Sequence, residues 1–324
     1  MKAVQITSLD GPEAVEVSEV PEPVAGPDQV LIRVRAAGVA FPEVLQSRGQ
    51  YQMKPDLPFV PGAEIAGEVV TAPPGSAFKP GDRVTALSLL GGFAELAVAP
   101  ADLVFDLPDS VTFEQGAGLP FNYLTSHFAL VARGQLAEGE SVLVHGAAGG
   151  IGTSAIQVAK AYGAGRVIAV TSTDAKGEVA LAAGADEYVL ASSDQGSFKD
   201  AVKEKHGGVD IVVDPVGGDR FTDSLRSLKE DGRLLVIGFT AGDIPTVQVN
   251  RLLLNNISVV GVGWGAYVLG KPGYVQRQWA DIRPHIESGA LVPPIGATFT
   301  LEQATQALLE LDERRATGKV LLIP

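Results

Sequence analysis

The chain of 324 residues contains no cysteine. That absence removes disulfides, thiolate nucleophiles, iron–sulfur clusters and any zinc site built on cysteine ligands, and it is compatible with a reducing compartment. Positive charge is also short, with 25 Lys and Arg against 38 Asp and Glu and a net charge of −13. A nucleic-acid binder needs a basic face to neutralise phosphates, and no basic run occurs here, so the acidity reads as solubility. Long hydrophobic runs are missing too. The most apolar stretch, 257–269, is broken by glycines and falls short of the roughly 18 residues of a membrane span. The opening MKAVQITSLDGPEAVEV reaches charge and Gly-Pro too early to hold the apolar core of a signal peptide. No internal repeat or low-complexity segment appears. The expectation is a soluble, cytoplasmic protein with neither membrane nor nucleic acid as partner.

What is present is the balance of a packed globular chain, 46% hydrophobic and 19% charged. Its length is about twice the roughly 150 residues of a one-domain prior, which points to two domains. The first third is strand-rich. Short β-type runs at 30–34, 64–70, 83–86 and 93–98 are separated by Pro-Gly and Gly-Asp turns, the texture of a small barrel or sandwich. From about residue 136 strands alternate with helices. Strands are expected at 141–145, 166–170, 188–190, 210–213, 234–237 and 257–262, and helices at 151–162, 174–183, 197–205 and 219–228. Such repeated strand-helix-strand units read as a doubly wound parallel sheet. The tail is expected to hold an amphipathic helix at 302–315 and a last strand, VLLIP.

The chemistry-bearing motif is VLVHGAAGGIGTSAIQVAK, residues 142–160. An apolar strand runs through a Gly-rich turn directly into a helix, the context a phosphate-cradling fingerprint requires. Against G-x-G-x-x-G the turn places Ala147 first, then Gly149 and Gly152. Gly149 lets backbone approach a pyrophosphate and Gly152 lets the helix pack closely on the strand, while the helix N-terminus offers N–H groups to the anion. The next strand end distinguishes the nicotinamide cofactors. An NAD site puts Asp or Glu on the ribose 2′-hydroxyl. Here the run is Thr171, Ser172, Thr173, Asp174, Ala175, Lys176; Ser172 and Lys176 suit a 2′-phosphate and favour NADPH, while Asp174 keeps NADH open.

The chain resembles the zinc-independent quinone oxidoreductases of the medium-chain dehydrogenase/reductase superfamily. The resemblance spans nearly the whole chain. It is carried by AAGVAFPEVLQSRGQYQ, PFVPGAEIAGEVV, GDRV, LPFNYLTSHFAL at 119–130, HGAAGGIG, VDPVGG at 213–218, GRLLVIGF at 232–239 and the terminal ATGKVLLIP. It implies an α/β fold: a discontinuous catalytic domain with a GroES-like β-barrel, at 1–120 and 264–324, around a Rossmann NADPH-binding domain at 121–263. The zinc-dependent relatives use Cys and a Gly-His-Glu triplet for catalytic zinc and four Cys for structural zinc. Here the triplet is Gly62-Ala63-Glu64, so both ligand sets are absent and Glu64 is expected to be structural. His127, His145, His206 and His285 lie far apart and read as packing or surface residues.

By resemblance, Ala148, Gly149, Gly150 and Ile151 meet the pyrophosphate, and Ser172 and Lys176 the 2′-phosphate. Gly238, Phe239 and 262–264, with Val262 and Trp264, meet the nicotinamide end, and Thr125 lies against the nicotinamide. Arg315 or Lys319 either returns to the phosphates or is an exposed charge. Tyr51 is the candidate catalytic and substrate residue, able to hydrogen-bond a carbonyl oxygen or donate a proton; Phe41 and Trp264 are candidates for an apolar slot. Two positions depart from the family, Ala40 in place of Asn and Glu43 in place of Asp, which weakens the case for a side-chain acid and admits solvent as proton source. Without a metal Lewis acid, hydride delivery from NADPH to an electrophilic quinone or α,β-unsaturated carbonyl remains feasible. The alternatives are an enoyl-thioester reductase and a non-catalytic NADPH-binding or sensor protein. The apolar segment NNISVVGVGWG resembles the family's edge strand that pairs across a two-fold axis, which makes a homodimer the expected assembly.

Overall fold

The computed structural model describes residues 1–191, 197–268 and 270–324. Leu269, the end of the most apolar stretch, lies outside the described residues. The chain forms two compact units, one of residues 1–122, 273–287 and 292–324, the other of 123–272 and 288–291.

The second unit is built on Ser141–His145, a strand buried along its full length. Continuous burial of this kind belongs to a parallel strand covered on both faces. Six strands lie in the order Glu187–Leu190, Arg166–Thr171, Ser141–His145, Val209–Asp214, Leu228–Val236, Ser258–Gly261. Every adjacent pair is parallel. Numbered in chain order this is 3-2-1-4-5-6, the doubly wound arrangement, and its order reverses between the first and fourth strands. A core of Leu143, Ile168, Val170, Val212 and Leu234 packs against Phe198, Phe221 and Leu225 from the helices. The expected helices appear at Gly150–Ala161, Asp174–Ala182, Phe198–His206 and Phe221–Ser227.

The first unit is antiparallel where it is centred. Gln29–Val39 pairs with Glu64–Thr71 and with Leu96–Pro100, and the sheet continues through Arg83–Leu87 to Val104–Asp106. Its other side is completed by the end of the chain, because Lys319–Ile323 runs antiparallel to Gln29–Val39 and parallel to Ile295–Thr300. The core is correspondingly mixed in origin, with Ile32, Ile65, Val84 and Phe93 from the first third and Leu308, Val320 and Leu322 from the last. A discontinuous unit is therefore what burial itself requires.

Several boundaries differ from the sequence reading. The strand expected at 93–98 runs over Leu96–Pro100, because Phe93 is fully buried and its carbonyl accepts the Val4 N–H at 2.9 Å. The tail helix is a 3-10 turn at Leu301–Gln303 followed by Ala304–Asp312; Arg314, with φ 58°, ends any further helical path. Residues 264–272 stay with the parallel-sheet unit rather than with the C-terminal segment. There the helix Trp264–Val268 sets the Tyr267 ring 4.8 Å from that of Phe128. The hairpin of Lys2–Ile6 with Val15–Glu19 was not expected at all. Among the described residues no helix is long and apolar enough to cross a membrane.

Candidate functional site

The Gly-rich turn sits at the carboxyl end of Ser141–His145, at the point of order reversal where doubly wound sheets bind ligands. Gly146 adopts φ 57° and turns the chain, and its carbonyl accepts the Gly149 N–H at 2.9 Å. Gly152 has no room for a side chain: a Cβ there would lie 2.2 Å from the Gly146 oxygen and 2.5 Å from the Ala147 Cα. The helix Gly150–Ala161 therefore starts hard against the strand it follows. Its N-cap is Gly149, and no side chain caps it. The leading N–H groups of a helix have no partner within it, so this end presents donors and a partial positive charge.

A second turn faces the first across the reversal. Asp214 is buried, and its Oδ1 accepts the N–H groups of Val216 and Gly217, both at 2.9 Å. The turn is zipped to the loop that follows Leu228–Val236, with Ile237, Thr240 and Ala241 donating to the carbonyls of Asp214, Pro215 and Val216. This brings Gly238 and Phe239 beside it. A Cβ on Gly146 would lie 3.3 Å from Val216 Cγ2, so the two turns touch. His145, just before the Gly-rich turn, is fully buried, with Nε2 2.8 Å from Ser224 Oγ and Nδ1 without a partner. The Ser224 hydroxyl donates to the Arg220 carbonyl at 3.0 Å, so the imidazole is the donor toward Ser224. Burial holds this imidazole down to about 4 despite Asp214 nearby. It is a neutral packing residue. Val262 and Trp264 are buried in this unit and follow the last strand, and Thr125, also buried, lies in the helix Pro120–His127.

At the next strand end, Ser172, Thr173 and Asp174 are exposed and Lys176 is half-buried. Thr173 caps the helix Asp174–Ala182, its hydroxyl accepting the Lys176 N–H at 3.3 Å. One residue here escaped the sequence reading. Tyr188, in the neighbouring parallel strand, donates its hydroxyl to Asp174 Oδ1 at 3.0 Å.

The residues expected near an acceptor divide by unit. Phe41 and Tyr51 are half-buried in the β unit, Phe41 packed on its core, and Trp264 belongs to the parallel-sheet unit. Burial first, and then the Glu43 carboxylate, pushes the Tyr51 phenol above its ordinary 10. Glu43 is itself only 1% exposed. It accepts the N–H of Ala40 at 2.9 Å and of Ala63 at 3.1 Å, clamping the start of the helix Phe41–Ser47 to the Gly62-Ala63-Glu64 segment. Burial raises its carboxyl to about 7, against the opposing pull of Lys319. Sequence reading had noted Glu43 only as a departure.

Lys319 requires a correction. It is neither exposed nor available to phosphates, because its ammonium is buried within the β unit and donates to Glu64. The other Glu64 oxygen accepts the Phe121 N–H at 2.9 Å. Gly38 makes the space, since a Cβ there would lie 2.7 Å from Lys319 Cε and 2.8 Å from Glu64 Cγ. Arg315 is exposed and paired with Glu310 and Glu313. Among the described residues no group of three or more His, Cys, Asp or Glu could hold a metal ion.

Comparison with known proteins gives the same architecture. A family described as "Alcohol dehydrogenase GroES-like domain" matches residues 26–109, and one described as "Zinc-binding dehydrogenase" matches residues 150–280. These two halves define a medium-chain dehydrogenase/reductase, with a GroES-like domain and a Rossmann domain. Quinone oxidoreductase-like protein 2 of Mus musculus is 40% identical over 99% of this chain and 91% of its own length. A probable oxidoreductase from Mycobacterium abscessus is 43% identical with a TM-score of 0.91, covering 100% of this chain and 99% of that one. The quinone oxidoreductase from Thermus thermophilus, solved also in complex with NADPH, is 33% identical over the full length of both chains with a TM-score of 0.86. The chain belongs to the quinone oxidoreductase family, within the oxidoreductases of this superfamily.

Proposed function

We propose that this protein is an NADPH-dependent oxidoreductase that delivers hydride directly to a quinone or an α,β-unsaturated carbonyl, using neither zinc nor flavin. The observation that carries the reading is the Gly-rich turn at the order reversal, where Gly152 meets the Gly146 oxygen with no space for a Cβ and the helix behind it is uncapped. Such a cradle fits a diphosphate.

The main chain of Ala148, Gly149, Gly150 and Ile151 holds the diphosphate. Ser172 and Lys176 take the 2′-phosphate, and Thr125, Gly238, Phe239, Val262 and Trp264 surround the nicotinamide end. NADPH supplies two electrons and one hydrogen as hydride. The protein orients the partners, which is the larger part of what a protein contributes to such a transfer. The reduced acceptor then needs a proton on oxygen, and Tyr51 donates it or positions the water that does. Zinc independence is supported by ligand chemistry: no cysteine exists, Ala63 stands between Gly62 and Glu64, and the Glu64 carboxylate is already held by Lys319 and Phe121.

Stopped-flow mixing of the protein and NADPH with 1,4-benzoquinone or a simple enone should show loss of nicotinamide absorbance. NADPH binding without turnover on quinones, enones or enoyl thioesters removes the enzymatic reading. The same unit supports a homodimer. Ser258–Gly261 is an edge strand, paired on one side with Leu228–Val236, and the adjacent helix Asn250–Asn255 leaves Leu253 and Leu254 75% and 76% exposed. Sedimentation of Leu254→Asp at micromolar protein should give a monomer where the parent chain gives a dimer.

A further inference from the structure

The segment that follows Arg166–Thr171 carries an acidic feature that the NADPH reading does not use. From Ser172 to Glu178 the chain offers one ammonium, Lys176, against two carboxylates, Asp174 and Glu178. Asp174 is the first residue of its helix, where a negative charge is favoured by the helix dipole. It is also fixed from outside the helix by Tyr188. The register sets Tyr188 opposite Ala169 and Leu190 opposite Thr171, and the tyrosine side chain reaches forward past the end of that strand to the helix start. Its ring lies over Gly177: a Cβ at Gly177 would sit 2.6 to 2.7 Å from three of the ring atoms. With the ring seated on bare backbone, the hydroxyl is aimed at Asp174 Oδ1, 3.0 Å away. Asp174 and Glu178 both push the phenol above its ordinary 10, so it stays a donor.

A carboxylate held at this strand end treats the two cofactors differently. A ribose 2′-hydroxyl can donate to it. A 2′-phosphate brings a charge of about −1.5 to −2 and accepts only, and it meets like charge on the residues that flank Lys176. We propose that Asp174, fixed by Tyr188 on its Gly177 floor, is a specificity-determining residue that narrows the preference for NADPH over NADH. The inference rests on the cofactor site proposed above and concerns one corner of it.

The test is a fluorescence titration of NADPH and of NADH with the full-length protein, comparing the parent chain with Asp174→Asn, Asp174→Ser and Lys176→Met at low and high salt. Thr173 keeps its cap in all of them, and a melting curve for each variant checks the fold. Both Asp174 variants should tighten NADPH by about fivefold, the scale of partly exposed charge contacts made to a dianion. NADH affinity should stay the same or fall, and the gain for NADPH should shrink at high salt as screening grows. Lys176→Met should move the ratio the other way. Equal changes for both nucleotides, or a salt-independent gain, would overturn the role of Asp174 while leaving the cofactor site standing. Failure of the parent chain to bind either nucleotide removes both readings at once.

Discussion

Lys319 and Glu64 lie 255 residues apart in sequence and form an ion pair inside the β unit, their side chains 3% and 1% exposed. The pair joins the last strand to the first third of the chain at the point where Leu321 opposes Gly38. Breaking one side of such a pair leaves a buried charge uncompensated, at a cost of about 3–5 kcal/mol. Lys319→Met should therefore lower stability by that order, with Glu64→Gln in the same chain recovering much of it. Urea unfolding of the two variants checks this; a Lys319→Met chain as stable as the parent would mean that the ammonium is solvated.

Two buried groups, one in each unit, should respond to acid in opposite directions. Glu43 is raised from 4.5 to about 7 by burial, so the folded β unit binds a proton that the unfolded chain releases above pH 4.5. The contribution of Glu43 to the stability of that unit therefore falls as pH rises from about 4.5 to 7, by up to about 3 kcal/mol for a shift of this size. His145 in the parallel-sheet unit moves from 6.5 to about 4, so its contribution is present above pH 6.5 and is lost as pH falls toward 4. Each unit holds one of the two tryptophans, Trp279 in the β unit and Trp264 in the other. Trp264→Phe thus reports the β unit alone, where Glu43→Gln should stabilise at pH 8 and make little difference at pH 4. Trp279→Phe reports the other unit, whose midpoint should drop between pH 6.5 and 4.

These buried groups mark the limit of what the residues alone disclose. The parallel sheet was legible because each strand is a short apolar run followed by a helix, and Gly152 was legible because its spacing from the strand has a steric reason. Lys319 was not. A lysine after Thr-Gly near a chain end looks exposed, and only the antiparallel pairing of the last strand with Gln29–Val39 turns it inward. Tyr188 was missed because parallel register, a property of two strands, brings it to Asp174. The opening hairpin was missed because its second strand, VEVSE, is mostly outside the core, with Val17 37% exposed.

Gly152 gives a sharp steric prediction. A Cβ at this position meets backbone at 2.2 Å, and backbone cannot rotate away as a flexible side chain can. Gly152→Ala should force the helix Gly150–Ala161 off the strand end, costing about 1–3 kcal/mol of stability and misplacing the N–H groups proposed to hold the diphosphate. NADPH binding should weaken at least tenfold by calorimetry. Gly149→Ala is the control for stability alone, because its Cβ would stand 3.4 Å from the Gly146 oxygen, an ordinary contact, and its unfolding midpoint should match that of the parent chain.

Tyr51 separates side-chain from solvent proton donation. Burial and the Glu43 charge raise its phenol above 10, so it remains a proton donor through the neutral and mildly alkaline range. If the phenol delivers the proton to the reduced acceptor, kcat for an enone should stay level up to about pH 9, since the acid form persists well below its pKa. Tyr51→Phe should then lower the plateau by about a hundredfold, the lower end of general acid contributions, with NADPH affinity unchanged. An enone accumulates charge on oxygen that must be neutralised, whereas a quinone yields a more stable oxyanion, so the loss should be smaller for the quinone. A Tyr51→Phe plateau equal to that of the parent chain on both acceptors identifies water as the donor. A rise in KM alone identifies the hydroxyl as a hydrogen bond to the acceptor that transfers no proton.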